Sequence, residues 1–158
     1  MASWFVDASV LLASEDAEDV NHEDSVLLLR AEGTITTLDL AYYEVSNVAV
    51  RAWHDEPAAH RLREKVDTVA GDGGLVRADS ARVADAIVLA GEQGISVYDA
   101  AYAAAAIQAG SELVSCDVRD LVSRRLAVLP STAREAEARV DNAGGGEQQP
   151  GDAFKRLG

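Results

Sequence analysis

The stretch TITTLDLAYYEVSNVAVRA, residues 34–52, changes its apolar period at Asp39. Up to Leu38 it is short and β-branched, as expected of a strand buried in a sheet. From Asp39 onward Leu40, Tyr43, Val45, Val48 and Ala52 recur mostly at three- and four-residue steps, which predicts a helix capped by Asp39. A strand running directly into a helix is half of a strand–helix–strand unit, and the chain repeats it on both sides. Upstream, Ser3–Val6 is an apolar run ending at Asp7. A short helix over Asp7–Ser14 and a helical segment over His22–Ala31, stopped by Gly33, follow it. Downstream, Pro57 opens a helix that GDGG at 71–74 ends, Leu75–Val76 reads as a short strand, and Asp79 or Ser80 caps a helix closed by Gly91–Gly94. Ile95–Val97 is a brief apolar stretch before Tyr98-Asp99, and AAYAAAAIQAG (100–110) is a helix of small residues stopped by Gly110. ELVSC (112–116) predicts a strand, Arg119–Leu126 a short helix and Ala127–Leu129 a last strand.

Strands alternating with helices predict an α/β protein, a three-layer α/β/α sandwich with a mainly parallel central sheet. The domain is expected over residues 1–133. Residues 134–158 are expected to form a mostly disordered acidic and Gly-rich tail, with no apolar periodicity from Asp141 on.

The 158 residues carry 27 Asp+Glu against 14 Lys+Arg, a formal net charge of −13. Such a surplus repels nucleic acid and anionic membranes unless salt screens it, and at multimolar salt the Debye length shrinks to ~3 Å. The longest charge-free stretch, around Ala100–Gly110, is well short of the ~20 apolar residues that span a bilayer. Cys116 has no second cysteine to pair with, and MASWFVDASV lacks the basic start of a signal peptide; together these point to the cytoplasm.

The acids that matter are those placed off the helix surfaces. Asp7 follows the apolar run WFV and Asp117 follows LVSC, so both are expected at carboxyl ends of parallel strands, where open α/β sheets put their ligands. Asp99 is expected at the N-terminus of the alanine-rich helix, and Glu44 in the first turns of the helix after TITTL, at the same edge. Two carboxylates about 4 Å apart repel by about 4 kcal/mol at an effective dielectric of ~20. Several in one crevice therefore need raised pKa values or a cation, and oxygen-only ligands suit Mg²⁺ or Mn²⁺. Ser9 and Ser115 flank the group, suited to hydrogen-bonding a carboxylate or a phosphate oxygen. Of two basic clusters, Arg51/Arg61/Arg63/Lys65 and Arg119/Arg124/Arg125, the second lies beside Asp117 and is the candidate for steering a phosphate.

The segments FVDASVLL, YYEVSNV, VYDAAYAAAA and LVSCDVRDL, in this order, resemble the PIN-domain family and more narrowly the VapC-type toxins of toxin–antitoxin pairs, over about residues 3–130. The resemblance implies a compact α/β/α endoribonuclease that hydrolyses RNA with Mg²⁺ or Mn²⁺. Asp7, Glu44, Asp99 and Asp117 match the family's acidic quartet, and Asp120 an additional acid of some members. Ser9 and Ser115 match hydroxyls beside the first and fourth acids. By the same resemblance Asp7, Asp99 and Asp117 hold the metal, with Asp120 as a further ligand, and Glu44 binds metal or orients the attacking water. An antitoxin protein partner is implied, as is a homodimer with Tyr42, Tyr43, Val48 and Trp53 as contact surface. Other readings stay open: a PIN-domain nuclease of RNA maturation, a catalytically inactive PIN-like module, or a receiver-type Mg²⁺-binding module. The receiver reading lacks a suitable lysine, since only Lys65 and Lys155 occur. His22, His54 and His60 show no metal-ligand spacing, no GxSxG or Walker loop is present, and Cys116 reads as a small buried hydrophobe.

Overall fold

The computed structural model describes residues 2–144. Four strands, β1 (Ser3–Val6), β2 (Thr34–Leu38), β3 (Leu75–Val76) and β4 (Glu112–Val114), make a wholly parallel sheet in the order β3-β2-β1-β4. The helices are α1 (Ala8–Glu15), α2 (His22–Arg30), α3 (Leu40–Arg51), α4 (Glu56–Gly71), α5 (Ser80–Gln93), α6 (Val97–Ala109) and α7 (Pro130–Gly144). The chain winds outward from β1 to β3 and then returns to β1's other side for β4. That reversal opens a crevice beyond the carboxyl ends of β1 and β4.

Alternation along β1 splits the interior into two cores. Trp4 and Val6 join Val10, Leu11, Leu28, Val45, Leu62 and Val66 from α1–α4 on one face. Phe5 faces the other way, onto Leu113, Leu121 and the α6 residues Tyr102, Ala103 and Ala106. Helices thus cover both faces of the sheet, as the alternating pattern predicts. The alanines of α6 have no bulk to hold the helix off the strands, and Ala100 and Ala103–Ala106 are all buried.

Local departures have identifiable causes. Asp39 precedes α3 but is itself helical and makes no cap bond; its Oδ2 accepts from the Ala78 amide at 3.1 Å, tying β2's end to the loop after β3. Helix α6 starts at Val97, because Ser96 is the cap and accepts from the Asp99 amide at 3.1 Å. Asp99 therefore sits inside the first turn. β4 ends at Val114, two residues short of the expected ELVSC strand. Where a helix was expected over Arg119–Leu126, the chain makes one π-helical turn, Val118–Val122, with Val122 and Ser123 amides donating to the Asp117 and Val118 carbonyls at 3.0 and 2.9 Å. Ala127–Leu129 contributes only a parallel bridge, Val128 to Val114.

The expected boundary at 133/134 falls inside α7. Ala133 is fully buried, Ala136 packs on the first core, and Trp4 Nε1 donates to Glu137 Oε1 at 2.5 Å. An apolar face built of alanines among charges leaves little periodic signal. The rest of the expected tail, residues 145–158, lies outside the described residues. No helix of the described residues is long and apolar enough to cross a membrane.

Candidate active site

Asp7 lies where β1 passes into α1, 6% exposed, as the N-cap of that helix. Its Oδ1 accepts from the Ser9 amide at 3.0 Å and the Ser9 hydroxyl at 2.5 Å, and its Oδ2 from the Ser115 hydroxyl at 2.5 Å. Each serine then accepts in turn. Ser9 Oγ takes the Cys116 amide at 2.8 Å, and Ser115 Oγ takes the Asp117 amide at 3.0 Å. A hydroxyl both donates and accepts, so two serines link the carboxylate after β1 to the backbone after β4 without a charged partner. Burial pushes the Asp7 carboxyl up to about 6, against the pull of these hydrogen bonds. Burial likewise pushes the Cys116 thiol up to about 11, which keeps it neutral beside this network.

Asp99, Asp117 and Asp120 converge across the crevice, each offering a carboxylate oxygen within 4.8 Å of the others. Asp99 is delivered by the Ser96-capped turn of α6. Asp117 and Asp120 come from the π-helical turn, which Asp117 itself caps by accepting the Asp120 amide at 2.9 Å. Desolvation, followed by the charges of Asp117 and Asp120, holds the Asp99 carboxyl above its ordinary range, while its bond to Ser96 opposes the rise. An ion bound octahedrally at ~2.1 Å spaces its ligand oxygens roughly 3 to 4 Å apart, so these three carboxylates are the residues that could close on a divalent ion.

Glu44 projects from α3 toward the same acids. Its Oε1 accepts from the Tyr102 hydroxyl at 2.7 Å, and burial, with the charge of Asp99, raises its pKa. The structure thus brings Asp99, Asp117 and Asp120 together as one cluster, with Glu44 beside Asp99. Asp7 is connected through Ser115 to the Asp117 backbone. Ser9 and Ser115 spend their hydroxyls inside the protein, on the carboxylate rather than toward a ligand. Arg124 is spent as well: its guanidinium donates to the carbonyls of Gln93 and Arg119 at 3.0 Å, and meets Asp120 Oδ1 at 3.4 Å. Arg119 is 92% exposed and only 3.9 Å from Asp120, and Arg125 is exposed at a left-handed φ of 59°.

Tyr102 is the site residue that the reading of the acids passes over. Its position three residues after Asp99 on the same helix is the available signal, since side chains at that spacing share a face. Of the aromatic and apolar residues considered as a contact surface, Tyr42 and Trp53 pack on the protein's own core and Tyr42 donates to Asp67, leaving Tyr43 exposed. A larger exposed apolar set lies instead on α5 and α6, at Val83, Ile87, Val88, Val97, Tyr98 and Ile107.

A family model described as PIN domain matches residues 4–127. Among solved structures the chain is similar to PAE2754 from Pyrobaculum aerophilum, with 24% identity and a TM-score of 0.63 over 87% of this chain and 96% of that one. It is similar to a toxin–antitoxin complex from Klebsiella pneumoniae at 16% identity and a TM-score of 0.59, covering 82% of this chain and 98% of that one. It is also similar to VapC20 of Mycobacterium tuberculosis, a sarcin–ricin loop cleaving toxin, at 18% identity and a TM-score of 0.60, covering 73% and 91%. Identities this low speak for the fold. No curated protein matches the sequence.

Proposed function

The chain belongs to the PIN-domain family, and from that premise we propose that it is a metal-dependent endoribonuclease, the toxin of a toxin–antitoxin pair acting in the cytoplasm. The observation that carries the proposal is the convergence of Asp99, Asp117 and Asp120 at the sheet edge that also holds Asp7 and Glu44. Three carboxylates from two separate elements are kept together at an electrostatic cost that a divalent cation would remove. The toxin reading is supported by the similarity of the fold to that of toxin–antitoxin proteins.

Asp99, Asp117 and Asp120 would hold Mg²⁺ or Mn²⁺. Asp7 is available as a further ligand through Oδ2, which accepts only the Ser115 hydroxyl among the bonds above and so keeps a lone pair. Such an ion, when bound, neutralises charge on a phosphodiester and lowers the pKa of water. Glu44, with Oε1 engaged by Tyr102, has Oε2 free to bind the ion or to orient the attacking water and take its proton. Arg119, exposed beside Asp120, contacts the RNA backbone, while Arg124 shapes the turn that presents Asp117 and Asp120. An antitoxin would block the crevice, and a second copy of the chain would form the homodimer.

The test is cleavage of RNA by the purified full chain in Mn²⁺ or Mg²⁺. EDTA should abolish cleavage, and Asp99→Asn and Asp117→Asn should each lower the rate by more than about 100-fold while leaving the fold intact by circular dichroism. Activity that survives either substitution, or that ignores EDTA, would overturn the assignment.

A further inference from the structure

We infer that Tyr102 is a positioning residue for Glu44, its hydroxyl holding one carboxylate oxygen so that the other is the one free to meet an ion or a water. The inference rests on the reading of this crevice as a metal centre.

Tyr102 is 2% exposed, its ring packed in the second core with Phe5, Leu113 and Leu121. For packing alone a phenylalanine would serve. The hydroxyl, however, leaves α6 and reaches α3, donating to Glu44 Oε1 at 2.7 Å. A phenol has one proton to give, and here it goes to Glu44. Turning it elsewhere would leave a half-buried carboxylate oxygen without its donor. Among the described residues Tyr102 is the one hydrogen-bond donor to Glu44's carboxylate.

Glu44 has three side-chain torsions to restrain, on a helix separate from both elements that carry the aspartates. The Tyr102 bond restrains it against α6, the same helix that delivers Asp99. The hydroxyl therefore couples two parts of the site, α3 and α6. Catalytic geometry held to a fraction of an ångström depends on such supports rather than on the reacting groups alone.

The experiment compares the full chain with its Tyr102→Phe variant, which keeps the ring and removes the hydroxyl. Mn²⁺ binding is read by calorimetry, and kcat and KM on RNA are read separately. Tyr102→Phe should weaken Mn²⁺ binding by about 10-fold and lower kcat by a similar factor, with KM for RNA within about twofold. Replacing Tyr102 by 4-aminophenylalanine, which restores a donor at that point, should recover most of the Mn²⁺ affinity. Unchanged Mn²⁺ affinity and kcat in Tyr102→Phe overturn the proposal alone. An unmodified protein that binds no Mn²⁺ overturns the metal-centre reading and this proposal with it. Independently of whether the variant folds, the Tyr102 hydroxyl proton of the unmodified protein should be visible by NMR as a slowly exchanging resonance. Exchange at the rate of a solvent-exposed phenol would also overturn the proposal.

Discussion

Asp7 titrates near 6 in the folded protein against an ordinary value of 3.8, because burial disfavours its charge more than two serines and the backbone favour it. The sign is opposite to that of a salt-bridged carboxylate. Between pH 3.8 and 6 the folded state holds more protons than the unfolded one, so stability from this group is greatest below that window and is lost as pH rises through it. In metal-free protein at pH 7.5, Asp7→Asn should therefore raise the free energy of unfolding by roughly 2 to 3 kcal/mol, and the melting temperature with it. The advantage should vanish toward pH 4, and calorimetry in EDTA over that range checks it. Divalent ions should invert the order: Mn²⁺ should stabilise the unmodified protein more than Asp7→Asn. Mn²⁺ binding should weaken as pH falls below about 6, because the ion needs the ionised carboxylate.

At the level of elements, the acids depend on two short turns. The first turn of α6 is held by Ser96, whose hydroxyl accepts the Asp99 amide. Ser96→Ala should cost about 1 kcal/mol and loosen the turn that presents Asp99, read as a lower denaturant midpoint together with weaker Mn²⁺ binding. The π-helical turn is latched by Arg124, which reaches across to the Gln93 carbonyl near the end of α5. Arg124→Ala should speed amide hydrogen exchange at Leu121–Ser123 and weaken Mn²⁺ binding, while exchange in α3 and α4 stays unchanged. Loss of RNA affinity with an undisturbed turn would instead return Arg124 to phosphate contact.

Over the whole molecule the charge of −13 sets the response to salt. The described ion pairs are mostly well exposed, such as Arg63–Asp67 and Arg82–Asp79, and exposed pairs contribute little. The more sheltered one joins Glu15 of α1 to Arg61 and Lys65 of α4, and these partners hold the Glu15 carboxyl below its usual range against its partial burial. Net repulsion should outweigh these pairs. Raising NaCl from about 0.1 M to about 2 M should thus raise the melting temperature by several degrees. A fall would mean that specific ion pairs hold the fold against its own charge.

The parallel α/β layering follows from the sequence because a change of apolar period at Asp39, repeated at each strand–helix junction, is a local property of the chain. The acidic positions are legible for related reasons: Asp7 and Glu44 stand beside those junctions, and Asp99 in the first turn of the alanine-rich helix. What lies between β4 and α7 is decided otherwise. A π-helical turn in place of a regular helix, a single bridge in place of a strand, and an alanine face that carries α7 past residue 133 all arise from packing between segments distant in the chain. Tertiary structure alone also decided which acids meet and how they are supported: Asp120 joins Asp99 and Asp117, two serines close on Asp7, and Tyr102 reaches Glu44. Local pattern reports which face of an element is apolar. A hydrogen bond between residues 58 positions apart depends on how those faces come together.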